Sequence, residues 1–87
     1  MIQKRYYKIS ELARSLSVAT SRIRFYESEL NLLPYGTKGR ERKYTITQAD
    51  KIRMAVTLKD SVGMTLEGIK KAIKGGYAYS ILKAYAS

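Results

Sequence analysis

The chain contains no cysteine and no histidine. Those two absences together remove disulfides, thiolate nucleophiles, imidazole bases and the usual zinc ligands. Acid is scarce too, 7 Asp and Glu against 17 Lys and Arg, and Glu27 and Glu29 stand two apart, on different sides of a helix. No close carboxylate pair sits in an apolar setting that would split its pKa values. With no acid, base or nucleophile arrangement, the chain is expected not to be an enzyme and to carry neither metal nor cofactor. No stretch approaches the roughly 20 apolar residues of a membrane-spanning helix, and the opening MIQKRYYK lacks the apolar core of a signal peptide. The expected compartment is the cytoplasm, with no membrane partner. There is a single proline, Pro34, so only one point in the chain forcibly interrupts a helix.

What is present fits one small folded domain. A length of 87 residues allows a single modest core, and 45% hydrophobic with 28% charged residues is a globular balance rather than that of a basic tail. The formal charge of +10 keeps the surface potential positive across the physiological pH range, which calls for a polyanionic partner.

Periodicity divides the chain into short helices. Ile9, Leu12, Ala13 and Leu16 form one apolar stripe, with Ser10 as the expected N-cap. Ser17 and Val18 interrupt it. Ile23, Tyr26 and Leu30 resume the spacing, predicting a second helix over about 20–30, so the pair reads as a helix-turn-helix. The segment NLLPYGTKGRERKYTI follows, with Pro34, Gly36, Gly39 and the densest basic cluster. Tyr44, Thr45 and Ile46 favour a strand, and the segment reads as a β-hairpin wing whose tip lies near Lys38 to Arg40. Thr47, three before Asp50, is the expected cap of a third helix carrying Ile52, Ala55, Val56 and Val62 and ending at Gly63. Thr65 caps a fourth, with Leu66, Ile69 and Ile73 on one face and Gly75 with Gly76 at its end. The tail YAYSILKAYAS sets Tyr77, Ile81 and Tyr85 in one line and Ala78 and Leu82 in the next.

These motifs carry a resemblance. YKISELARSLSV, SRIRFYESE, RKYT with the helix after it, and GMTLEGIKKAI resemble the N-terminal winged-helix domain of the MerR family of bacterial transcriptional regulators, over about residues 6–74. The resemblance implies a mostly α fold with a small β-hairpin wing, a winged helix-turn-helix. Residues 1–75 would be the DNA-binding domain, and 76–87 a short C-terminal helix in the position of a dimerisation-helix stub. Two residues depart from the family pattern: Ser17 stands where glycine is usual and Ala19 where serine is usual, which leaves Thr20 as the expected cap of the second helix.

Stepping roughly 100° per residue from Thr20 places Thr20, Ser21, Arg24 and Phe25 on one face, Ile23, Tyr26 and Leu30 on another, and Arg22 at the border. The first face is the expected groove face. Arg24 is read as a base-edge or phosphate contact, against the alternative of a pair with Glu27 or Ser28. Phe25 is open between a thymine methyl and packing, and Tyr26 between a core ring and a hydroxyl reaching phosphate. Lys38, Arg40, Arg42 and Lys43 are expected along the backbone from the wing, with Lys43 pointing away from Arg42; the wing arginine of the family corresponds to Arg42.

The expected function is sequence-specific binding of double-stranded DNA in transcription control, with the second helix in the major groove. The expected partners are duplex DNA and a second copy of the chain, held weakly without DNA. Two alternatives remain at this point: an excisionase-like architectural DNA-binding protein of phage or transposon type, and a basic adaptor for RNA or protein.

Overall fold

The computed structural model describes residues 6–32, 34 and 42–87. The expected wing tip, with Gly36, Lys38, Gly39 and Arg40, lies outside the described residues. Within them the chain is mostly helical, with one antiparallel strand pair.

Strand β1 (Tyr6–Lys8) pairs with β2 (Lys43–Thr45), and Tyr7 lies opposite Tyr44. The Ile9 N–H extends the pairing by donating to the Arg42 carbonyl at 3.0 Å. Helix α1 (Ile9–Leu16) buries Ile9, Leu12 and Ala13, as its stripe predicts. Ser10 is not its cap. The helix already begins at Ile9, and the Lys8 N–H, left over at its start, donates to Glu11 Oε1 at 2.9 Å.

The turn after α1 uses a left-handed residue. Ser17 has φ 56 and ψ 43; its N–H donates to the Arg14 carbonyl at 3.2 Å and that of Val18 to the Ala13 carbonyl at 3.0 Å. This is the Schellman pattern, in which a left-handed residue satisfies the last carbonyls of the helix. Helix α2 (Thr20–Glu29) follows, and its N-cap is Ala19, not Thr20, with no side chain accepting from the first turn. Thr20 is already helical. Asn31 repeats the Schellman pattern at the other end, with φ 54 and the Leu32 N–H on the Glu27 carbonyl at 2.9 Å.

Both ends of the turn are therefore improvable. Ser17→Gly removes the clash of Cβ with the left-handed backbone and is expected to add about 0.5–1 kcal/mol of stability. Ala19→Ser supplies the missing acceptor at a backbone already in the cap conformation, φ −71 and ψ 150. It is expected to add about 1 kcal/mol. Urea titration of each variant checks both, and a loss of stability in either would contradict the stated cause.

Helix α3 (Ile46–Thr57) starts one residue before the expected cap. Thr45, not Thr47, caps it: Thr45 Oγ1 accepts from the Gln48 N–H at 3.1 Å, and Gln48 Oε1 accepts from the Thr45 N–H at 3.0 Å. The reciprocal bond needs an amide or carboxylate long enough to reach back, which Gln48 supplies. Nor does α3 run to Gly63. After Thr57 the chain widens into a π-helical turn (Leu58–Val62), closed by Gly63 at φ 83 and by the Met64 N–H on the Leu58 carbonyl at 2.9 Å.

Helix α4 (Leu66–Gly75) has the predicted Thr65 cap, Oγ1 accepting from the Gly68 N–H at 3.1 Å. Gly76, at φ 79, ends it, and a Cβ on Gly75 would stand 2.7 Å from the Tyr77 ring. Helix α5 (Ala78–Ala86) then folds back onto α3, α4 and the π turn. Ala78 is buried and Ile81 and Leu82 half-buried, whereas Tyr77, Tyr79 and Tyr85 are exposed, so the core takes Ala78 and Leu82 from one predicted line and Ile81 alone from the other. The core joins Leu12, Ile23, Tyr44, Ile52, Leu58 and Ile69, drawn from α1, α2, β2, α3, the π turn and α4.

Candidate nucleic-acid interface

Helix α2 presents two chemically different faces. Ile23 and Tyr26 are buried against the core, while Ser21, Arg24 and Phe25 are exposed and Thr20 is half-buried. Arg24 makes no ion pair among the described residues; its expected competitor, Glu27, is turned elsewhere. Phe25 leaves 46% of its surface in solvent and meets Tyr26 edge-on, ring centroids 5.4 Å apart. An exposed phenylalanine beside an uncommitted arginine on the second helix of a helix-turn-helix forms a surface that is costly in water and chemically suited to base edges.

The same helix is tied to the rest of the protein by polar side chains. At its start, Arg22 grips Asp60 of the π turn with Nη1 at 2.8 Å and Nη2 at 2.6 Å. In its last turn, Glu27 Oε1 accepts from the Tyr44 hydroxyl at 2.6 Å and pairs with Arg42 Nε at 3.2 Å. The latter contact is a charge pair without hydrogen-bond alignment, since Arg42 Nε is a buried nitrogen lacking a hydrogen-bond acceptor. At its end, Glu29 Oε1 accepts from Lys70 Nζ on α4 at 3.3 Å. The acids of the helix are thus anchors to β2 and α4.

Residues 7–76 match the family model of the MerR HTH family of regulatory proteins. The chain belongs to this family. Neither a curated protein nor a solved structure matches it. Membership establishes a DNA-binding regulator built on a helix-turn-helix, and no described helix is long and apolar enough to cross a membrane.

Within this family domain the sequence-predicted residues divide. Thr20, Ser21, Arg24 and Phe25 share the outer face of α2. Tyr26 is only 3% exposed, and its hydroxyl accepts from Arg22 Nη2 at 3.3 Å. Arg42 is half-buried beside Glu27, whereas its neighbour Lys43 is exposed. Lys38 and Arg40 lie outside the described residues. Sequence reasoning missed Glu27, Asp60, Tyr44 and Lys70 as parts of one positioning system, because their partners stand 17 to 41 residues away. The dipole of acid and base at those positions carries no periodic signal.

Tyr44 gives the system a pH signature. Its hydroxyl is held protonated well above the ordinary tyrosine value of 10.0, first by burial, then by donation to Glu27, with Arg42 and Arg24 opposing. A group whose folded pKa is raised stabilises the fold fully below its unfolded pKa, and that contribution is lost as pH rises through the folded value. Stability is therefore expected to decline as pH rises above about 10, and Tyr44→Phe to flatten that alkaline slope. Denaturant midpoints of both proteins between neutral and alkaline pH test this; parallel slopes would rule it out. Asp60 behaves oppositely, its carboxyl held below the usual range chiefly by the Arg22 hydrogen bond.

Proposed function

We propose that the protein binds duplex DNA sequence-specifically as a transcriptional regulator, with α2 in the major groove and the segment before β2 on the flanking backbone. The observation that carries this reading is the outer face of α2, where Ser21, Arg24 and Phe25 are exposed while Ile23 and Tyr26 anchor the helix from behind. Arg24 reads a base edge, and Phe25 meets a thymine methyl or the sugar beside it. Arg42 and Lys43, with Lys38 and Arg40, follow the phosphates. A second copy of the chain occupies a second half-site, and the DNA holds two weakly associating copies near each other.

Selection of bound duplexes from a random pool tests the whole reading. The expected result is one motif with two-fold symmetry; recovery of single-stranded or A-form RNA in preference to duplex DNA would refute it. With the motif in hand, Arg24→Ala is expected to relax preference at one base position and weaken the selected duplex roughly ten-fold, leaving random duplex nearly unchanged. Arg42→Ala is expected to weaken selected and random duplexes alike. Equal losses on both duplexes for Arg24→Ala would reduce it to a phosphate contact.

A further inference from the structure

Helix α2 buries only Ile23 and Tyr26, and its first turn has no side-chain cap. Two core side chains fix the depth of a helix better than its tilt, so the polar ties decide how its outer face is aimed. The Arg22 to Asp60 tie is the one at the N-terminal end, next to Ser21 and Arg24, and it crosses 38 residues of sequence to the π turn between α3 and α4.

We propose that Arg22 is a positioning residue and not a phosphate ligand, and that its fork on Asp60 sets the angle of the recognition helix against the α3 and α4 unit. This rests on the DNA reading above. Both terminal nitrogens of Arg22 are used by the carboxylate, Nη2 also reaches the Tyr26 hydroxyl, and the guanidinium carbon stands 5.7 Å from the Tyr26 ring centroid. Three of its N–H donors, its charge and its flat face are engaged within the protein. A DNA phosphate presents the same two-oxygen fork, so exchange would gain little for Arg22. It would also leave the half-exposed Asp60 carboxylate unpaired beside a polyanion, which repels it. Kept paired, Asp60 is neutralised and α2 stays aimed.

The test compares Arg22→Gln, Asp60→Asn and the charge swap Arg22→Asp with Asp60→Arg, using the selected duplex and a random one. Positioning predicts that the ratio of selected to random affinity falls roughly five-fold in each single variant, that the double variant Arg22→Gln with Asp60→Asn loses no more, and that the swap regains most of it. The salt slope stays within half a phosphate of the wild type in the swap. A phosphate role predicts otherwise: Asp60→Asn would strengthen both duplexes with the ratio unchanged, Arg22→Gln would lower the salt slope by about 0.9, and the swap would rescue nothing. That second pattern overturns the proposal.

A second readout needs no DNA. Amide exchange from Ile23 to Leu30 is expected to accelerate several-fold in Asp60→Asn while α3 core amides hold. Unchanged exchange there overturns the strut even if the protein binds no duplex, so failure of the strut and failure of the DNA reading are separable.

Discussion

Raising monovalent salt from about 50 to 200 mM is expected to weaken duplex binding by roughly 10²–10³-fold. The expectation follows from the charge, +10 in 87 residues, and from its arrangement, since Arg24 on α2 and Lys43 on β2 lie exposed and Lys38, Arg40 and Arg42 precede β2 closely in sequence. Neutralising about four to six phosphates per subunit releases a matching set of counterions, with a slope near 0.9 per phosphate. Association should quicken at low salt for the same reason, because the positive field steers the encounter. Fluorescence anisotropy with a labelled duplex over a salt series gives the slope directly. An affinity constant across that range would remove the groove-and-backbone reading, since no apolar surface on α2 beyond Phe25 is large enough to hold DNA without phosphate contacts.

Glu27→Ala should be the most damaging single change on α2 that leaves its apolar residues intact. Its carboxylate is 15% exposed and serves two partners at once, accepting from the Tyr44 hydroxyl and facing the buried Nε of Arg42. Removing it leaves a buried hydroxyl without its acceptor and a half-buried guanidinium without its counter-charge, at a cost of roughly 2–3 kcal/mol, less than for a fully buried pair because Arg42 keeps some contact with water. In a domain of this size that lowers the melting temperature by on the order of 10 °C or more. Glu27→Gln, which keeps an acceptor for Tyr44, should lose less. Adding Arg42→Met to Glu27→Ala should recover part of the loss by withdrawing the orphaned charge. Calorimetry on the four proteins tests the account. A melting temperature within about 2 °C of wild type for Glu27→Ala would show that water satisfies both partners and that the tie between α2 and β2 carries no stability.

The order of helices, the helix-turn-helix, the family and the outer face of α2 were legible from residue pattern, because local periodicity reports which side of a helix meets a core. The buried stripe Ile9, Leu12 and Ala13 of α1 and the outer face Thr20, Ser21 and Arg24 of α2 need only the helical repeat. Capping was less legible. Thr45 and Thr47 are both plausible caps by type, and the choice fell to Thr45 because Gln48 could reach back and β2 delivers the chain in extended form at that residue. Ala19 became a cap with no side-chain acceptor because the Schellman turn at Ser17 fixed where α2 begins.

Only the tertiary structure decided what the charged residues of α2 do. From sequence, Arg22 and Arg24 are two basic residues in one turn, and Glu27 and Glu29 two acids in the next. Folding brings Asp60, Tyr44 with Arg42, and Lys70 to three heights along that helix, so Arg22, Glu27 and Glu29 become ties, while Arg24, already placed outward by the helical repeat, makes no ion pair among the described residues. The tail was divided in the same way, Ala78 packing inward and Tyr79 outward, though both belong to one apolar run. The physical reason is the range of the interactions: a helix repeat is written within four residues, whereas an ion pair depends on elements that meet only after the core of Leu12, Ile23, Ile52 and Ile69 has closed.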